Sequence, residues 1–279
     1  MFEDIRGNPQ LNLQKYVSLL CRWIACNPLT YSIYEKMLLN QIKNGMKPEH
    51  IGVILDGNRR WASHRFKHPW EGHQFGADKA EVLLNWCVDL DIKSVTIYAF
   101  SMENFQRPLK EVKEIMDLLE ERLRSLLSDE RIHKNKVQVK IIGRTPLLPK
   151  RIQEAIHRVE EATKNYDDHY LNLAIAYGGR AEIVDAIKKI SEQIQVGKVN
   201  AAEISEEIIE KNLYTAYLPQ SDPDLIIRTS GEERLSGFLM WQGAYSELCF
   251  IDVFWPDFRR IDLLRAIRTF QYRKRRYGK

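Results

Sequence analysis

The chain has 279 residues, 44% of them hydrophobic, and a formal net charge of +4. That is enough for one large α/β domain with a substantial core, or for two small ones, and so mild a charge gives no reason to invoke nucleic acid. No uninterrupted apolar run reaches the ~20 residues of a spanning helix, so an integral helical membrane protein is not expected.

Residues 1–48 read as an N-terminal helical extension. Leu13, Tyr16, Val17, Leu20 and Ile24 recur at helical spacing until Asn27-Pro28 breaks the pattern. Ile33, Met37, Leu38 and Ile42 mark a second amphipathic stretch, closed by Asn44-Gly45 and Pro48. The plain reading is a pair of packing helices; the alternative is an element that lies on a membrane surface or gates a substrate. The cysteines Cys21, Cys26, Cys87 and Cys249 form no CxxC pair and no Cys/His set with zinc spacing. Cys87 and Cys249 sit in apolar runs as small hydrophobes, and free thiols without a signal-peptide pattern point to a reducing cytoplasm.

From residue 49 onward, short β-rich runs alternate with amphipathic helices. The run His50 to Leu55 ends abruptly in Asp56-Gly57-Asn58-Arg59-Arg60-Trp61, which reads as a buried strand delivering a carboxylate and a turn to a sheet edge. A polar, basic loop spans 62–69, and Ala80, Leu83, Leu84, Cys87 and Leu90 then mark a helix buried on one face. Residues 94–100 form a strand that runs into polar groups from Ser101 to Arg107. The helical stripe Val112, Ile115, Met116, Leu119, Leu123, Leu126 and Leu127 is core by default, or else the wall of an apolar tunnel. Residues 137–142 alternate as a strand, Pro149 opens a helix to about Thr163, and 170–176 is a strand ending at Tyr177-Gly178-Gly179-Arg180. That turn suits an anion at a helix N-terminus or simply tight packing. A short helix near 204–213, a strand at 224–227, an apolar run at 248–251 and a helix carrying Leu263, Leu264, Ile267 and Phe270 follow. The last nine residues, 271–279, hold five cations and no acid, and so attract phosphate on a lipid, a nucleic acid or a small ligand. The regular alternation, without repeat or linker, predicts an α/β fold: a mainly parallel central sheet of about six strands flanked by helices, with 49–279 as one domain.

In such sheets, ligands bind outside the carboxyl ends of the strands. Three of those ends gather polar groups here: Asp56 with Arg59 and Arg60; Ser101 with Asn104 and Arg107; Arg228 with Arg234 and Ser236. A lone arginine is more often a surface charge, but packing gives no reason to collect several at strand ends, whereas guanidinium forks grip phosphate. The set suits two diphosphates, with one carboxylate and Mg²⁺ to neutralise a leaving group. GxxxxGK[ST] and GxGxxG loops, a Gly-x-Ser-x-Gly elbow and a DDxxD are all missing, against nucleotide hydrolysis, dinucleotide binding, esterase chemistry and the aspartate-rich trans-type prenyl synthases. Glu247 starts its apolar run, which in a parallel sheet is the wrong end; either the chain bends locally or Glu247 serves a neighbouring subunit.

The segments His50 to Trp61, Gly72-His73, Tyr98 to Pro108, Tyr177 to Arg180, Ile227 to Ser236 and Trp255 to Phe258 resemble, block by block and in order, the cis-prenyltransferases, the undecaprenyl/dehydrodolichyl diphosphate synthase family. Tyr34-Glu35, Pro48 to Ile51 and Asn58-Arg59-Arg60 in place of Asn-Gly-Arg are closer to archaeal and eukaryotic members than to most bacterial ones. The resemblance implies Mg²⁺-dependent, repeated cis-condensation of isopentenyl diphosphate onto an allylic diphosphate, geranylgeranyl being favoured over farnesyl, to give a long polyprenyl diphosphate, the precursor of a glycosyl carrier lipid. By position, it makes Asp56 the catalytic carboxylate that holds Mg²⁺ and gives the allylic diphosphate to Gly57, Asn58, Arg59 and Arg60. Trp61, His73, Ser101, Met102, Glu103 and Phe105 border that site. Asn104, with Arg107, attends proton loss from isopentenyl diphosphate; an amide is no base at neutral pH, so it orients the proton's path while a diphosphate oxygen accepts. Arg228, Arg234 and Ser236 hold isopentenyl diphosphate, and Glu247 is the second metal position, reaching across a homodimer. Arg276 and Gly278 match a tail element that closes over a partner's site. Pro69 stands where many members carry an arginine; Arg65, Lys67 or His68 are the candidate replacements. The basic tail and N-terminal helices suit peripheral contact with the membrane that receives the product. Two rivals are a non-catalytic partner subunit, disfavoured by the intact Asp56-Gly57-Asn58, and a nucleic-acid binder using the tail, which predicts steep salt dependence.

Overall fold

The computed structural model describes residues 28–273. The Leu13–Ile24 stripe, Cys21, Cys26, Arg276 and Gly278 lie outside these described residues.

Six strands form one sheet in the order β3-β4-β2-β1-β5-β6. They are β1 His50–Ile54, β2 Ser94–Ser101, β3 Val137–Ile142, β4 His169–Tyr177, β5 Leu225–Thr229 and β6 Glu247–Ile251. Every neighbouring pair is parallel, as the alternation predicts. β1 and β5 are buried at every position, which is why they read as unbroken apolar runs and not as alternating ones. β6, at an edge, is half-buried throughout, Cys249 included.

The topology positions the site. From β1 the chain moves to β2 on one side; from β5 it moves to β6 on the other. The crevice between β1 and β5 is therefore the switch point at which α/β sheets bind ligands. The register sets Ile54 opposite Arg228, so the loop after β1 and the end of β5 face each other across it.

The helices are α1 Pro28–Ile42, α2 Asn58–Ser63, α3 Pro69–Asp89, α4 Leu109–Leu126, α5 Glu130–Lys134, α6 Lys150–Thr163, α7 Gly179–Gln195, α8 Glu206–Glu210 and α9 Arg260–Tyr272. The stretch expected to be a basic loop, 62–69, begins inside the last turn of α2 and ends at Pro69, where α3 begins. Pro69 occupies the first turn of α3, and His68 and Glu71 close a capping box around it. α2 starts because Gly57 adopts φ 103°, and a Cβ there would lie 2.7 Å from the Phe254 ring.

The chain forms two units. The larger, 47–259, contains the sheet and helices α2 to α8. In the smaller, α1 pairs with α9: Arg265 Nε donates to Tyr34 Oη at 3.1 Å and Gln271 Nε2 to the Ile42 carbonyl at 3.0 Å. Of the four apolar positions read in α1, Leu38 and Ile42 are buried, while Ile33 and Met37 are exposed.

Candidate active site

Asp56 lies just past β1, its backbone carbonyl accepting from Thr229 Oγ1 at 2.7 Å. Its carboxylate receives Arg228 Nη2 at 2.7 Å and Arg60 Nη2 at 3.3 Å. Burial pushes the Asp56 carboxyl up, but the hydrogen bond and charge of Arg228, helped by Arg60, outweigh it and hold the group below its usual range. Arg228 is itself buried, and its Nη1 donates to Ser236 Oγ at 2.8 Å and to the Arg234 carbonyl. Arg60 also reaches Ser230 Oγ at 2.6 Å and Glu232 Oε1 at 3.1 Å. Among the described residues, the buried Asn58 Oδ1 and Arg228 Nε have no hydrogen-bond partner. An unpaired acceptor and an unpaired donor at a strand end are what a ligand site leaves open.

A second carboxylate, absent from the sequence reading, gathers the remaining cations. Glu111 Oε1 on α4 lies 3.1 Å from Arg107 Nη1, 3.2 Å from His73 Nε2 and 3.5 Å from Arg59 Nε. Burial lowers the His73 pKa, and Arg107 and Arg59 lower it further against the opposing pull of Glu111, so the imidazole is neutral at pH 7.

Two clefts open along these groups. One, about 550 Å³, is lined by Asp56, Gly57, Asn58, Arg59, Arg60 and Arg107, with Pro69 and His73. The other, about 870 Å³, is lined by Asp56, Ser101, Met102, Glu103, Asn104, Arg228 and Ser236, and shares Asn58, His73 and Arg107 with the first. They meet at Asp56. A third cavity, apolar and between α3 and α4, also reaches Asn58 and His73. Asn104 is held by the Ser101 backbone N–H, which donates to its Oδ1 at 3.1 Å. The Gly-Gly-Arg turn borders the second cleft, yet its glycine answers to packing: Gly179 N–H donates to the Gly237 carbonyl at 2.7 Å, and a Cβ would meet that oxygen at 2.6 Å.

Four expected site residues stand elsewhere. Trp61 is buried and donates from Nε1 to Asp257 Oδ1 at 2.8 Å, while Phe105 packs edge-on against Phe100; neither lines a cleft, because each ring finds apolar neighbours first. Arg234 points outward to Glu232 and offers Arg228 only its carbonyl. Glu247 opens β6 level with Ile51, which at ~3.3 Å per residue is roughly 16 Å of strand rise short of Asp56. None of the three stand-ins for an arginine at Pro69 reaches the cleft: Arg65 binds Asp257, Lys67 binds Glu71 and His68 caps α3.

Two anion-sized clefts sharing one carboxylate, beside an apolar cavity at a sheet's switch point, define an enzyme that handles molecules with charged heads and hydrocarbon tails. Residues 54–278 match the family model described as putative undecaprenyl diphosphate synthase. A tritrans,polycis-undecaprenyl-diphosphate synthase (geranylgeranyl-diphosphate specific) of Methanopyrus kandleri is 55% identical over 249 residues, 89% of this chain and 91% of that one. The crystal structure of lavandulyl diphosphate synthase from Lavandula x intermedia, in complex with dimethylallyl diphosphate, superposes with TM-score 0.80 at 36% identity, covering 84% of this chain and 99% of that one. A probable undecaprenyl diphosphate synthase from Campylobacter jejuni gives TM-score 0.69 at 34% identity, covering 84% and 100%. The chain belongs to this family, the cis-prenyltransferases, and is an enzyme that transfers prenyl groups.

Proposed function

We propose that the protein condenses isopentenyl diphosphate repeatedly, forming cis double bonds, onto geranylgeranyl diphosphate, and so makes a long polyprenyl diphosphate that is the precursor of a glycosyl carrier lipid. The observation that carries this reading is the meeting of two arginine-lined clefts at Asp56, next to an apolar cavity. The geranylgeranyl-specific relatives support the choice of primer.

In each cycle the allylic C–O bond breaks, a C–C bond forms to isopentenyl diphosphate, and one proton leaves. Arg59 and Arg60 would hold the departing diphosphate, and Arg228 and Ser236 would fix the isopentenyl diphosphate. Their charges are set before the reaction, so the leaving group's developing charge meets fixed cations. Asn104, oriented by Ser101, would guide the proton to a diphosphate oxygen. His73, neutral, would give its one N–H to Glu111 and so hold that carboxylate in place without adding charge. Mg²⁺ fits this set, because Asp56, where the two clefts meet, supplies the single carboxylate that Mg²⁺ commonly combines with substrate phosphates. When bound, Mg²⁺ would supply charge neutralisation for the leaving diphosphate.

Residues 49–279 would form the catalytic part and 1–48 an extension, in a cytoplasmic homodimer in peripheral contact with the membrane. Glu247, Arg276 and Gly278 would serve the partner's site. Among the described residues no helix is long and apolar enough to cross a membrane.

The test is incubation of purified protein with labelled isopentenyl diphosphate, Mg²⁺ and each allylic primer, with products resolved by chain length. We expect long-chain product, best from geranylgeranyl diphosphate, and a loss of about 10³-fold in turnover for Asp56→Ala with its melting transition retained. Undiminished turnover in that variant would refute the assignment.

A further inference from the structure

The segment that carries Ser236 bends through backbone that L side chains rarely adopt. Ser236 has φ 48° and Leu239 φ 42°, with Gly237 at φ 78° between them. Left-handed conformations at a serine and a leucine persist only where the surroundings over-determine them, and they cluster at ligand clamps.

Three strands and α7 hold this turn. Phe238 and Leu239 are fully buried, and Phe238 stacks on Tyr98 of β2 with ring centroids 4.9 Å apart. Gly52, in the middle of β1, leaves the room: a Cβ there would lie 2.9 Å from the Phe238 ring. Tyr98 Oη donates to the carbonyl of Tyr177, the last residue of β4, at 3.3 Å.

Glu182, in the first turn of α7, closes the frame and is 1% exposed. Its Oε1 accepts from the Tyr214 backbone N–H at 2.8 Å and from Gln242 Nε2 at 3.0 Å, and its Oε2 accepts from Tyr177 Oη. Gln242, equally buried, also donates to Thr215 Oγ1 at 2.9 Å. A buried carboxylate is costly to desolvate, and packing alone would be served by an apolar side chain of that size. At the other end of the turn, Ser236 Oγ accepts from Arg228 Nη1, which leaves the hydroxyl hydrogen for a diphosphate oxygen.

We propose that Glu182 is a positioning residue for isopentenyl diphosphate: it anchors Gln242 and the end of β4, and the anchored turn fixes Ser236 against Arg228. The inference rests on the polyprenyl-synthase reading, in which Ser236 and Arg228 hold that substrate. It gives Tyr177 and Glu182 one task at the rim of the second cleft and none toward the allylic diphosphate.

The test is steady-state kinetics with each substrate varied in turn. Gln242→Leu keeps a side chain of similar size and cuts the tie between the turn and Glu182. KM for isopentenyl diphosphate should rise about tenfold, with kcat and the KM of the allylic primer unchanged. Glu182→Leu should do the same, and Glu182→Gln, which keeps an oxygen for Gln242 and Tyr214, should recover most of the loss. Should Glu182→Leu fail to fold, Gln242→Leu carries the test. Added to Ser236→Ala, Gln242→Leu should cost less than about twofold more, because the group it positions is already gone. An unchanged KM for isopentenyl diphosphate in folded Gln242→Leu, an equal rise in both KM values, or full additivity with Ser236→Ala overturns the positioning role alone. Absence of any prenyl product from the unaltered protein overturns the functional reading and this inference with it.

Discussion

The strand β1 begins and ends beside an ionisable side chain, and its two ends treat charge in opposite ways. At the start, His50 is fully buried, with Nε2 2.8 Å from Thr96 Oγ1. Thr96 in turn accepts from Asn172 Nδ2 at 2.9 Å, which leaves its hydroxyl hydrogen for the imidazole. Burial lowers the His50 pKa to about 4, and the charge of Asp224 offsets only part of that. Past the other end, burial also disfavours the charged form of Asp56, but Arg228 and Arg60 reverse the outcome. Both side chains are desolvated; what differs is a contacting counter-ion. At the start of the strand the imidazole takes a neutral hydroxyl hydrogen bond, and past its end an ionised carboxylate stands at the mouth of two clefts. Chemistry belongs where charge is retained.

The most forceful way to break this contrast is Arg228→Met, which removes the buried cation and leaves Asp56 to desolvation. Turnover should fall by about 10²–10³-fold, as for loss of a preorganised charged donor. The acid limb of the kcat/KM profile should also move to higher pH, because the carboxyl loses the partner that lowers its pKa. An unmoved limb would show that Arg228 does not set the ionisation of Asp56.

The start of β1 yields a stability prediction. An unfolded histidine titrates near 6.5, whereas buried His50 titrates at about 4, so below pH 6.5 the unfolded chain binds a proton that the folded chain refuses. The contribution is therefore fully present above pH 6.5 and is lost as pH falls toward 4, amounting to about 3 kcal/mol over that window. Urea midpoints measured across the window for the unaltered protein and His50→Gln should diverge by that amount, since glutamine takes up no proton. Parallel curves would mean that His50 is protonated in the fold.

Much of this arrangement was legible in the sequence because burial on both faces turns parallel strands into plain apolar runs, and strand ends are where a polar cluster has meaning. Asp56, Arg228 and Asn104 were found in that way. The pairing of Asp56 with Arg228 depends on β1 and β5 being neighbours across 172 residues, a matter of strand order that no local pattern carries. α2 went unread because Asn58-Arg59-Arg60-Trp61-Ala62-Ser63 has no apolar period. Arg65 looked available to the cleft because its partner Asp257 is 192 residues away, and Lys67 because 62–69 read as a loop, where its i,i+4 spacing to Glu71 signals no pairing. Glu111 was missed for a subtler reason. An acid in the first turn of a helix is ordinary, and only the fold brings His73 and Arg59 to join Arg107 around it.

Glu111 supplies the smallest of the expected effects and the finest test of the contrast, since it is a buried carboxylate whose cations are meant for a ligand. In the free protein it neutralises Arg59 and Arg107 and holds His73 Nε2. Glu111→Gln keeps its shape and removes its charge. Net positive charge in the cleft then rises, so inorganic diphosphate should inhibit at lower concentration, while the cations, no longer drawn to one oxygen, should align the substrate less well and lower kcat by roughly tenfold. Glu111 raises the His73 pKa against burial and the arginines, so proton resonances of that imidazole should titrate still lower in the variant. Tighter diphosphate binding with slower turnover would mark Glu111 as a group that positions cations; weaker binding together with slower turnover would mean that its charge serves the fold alone.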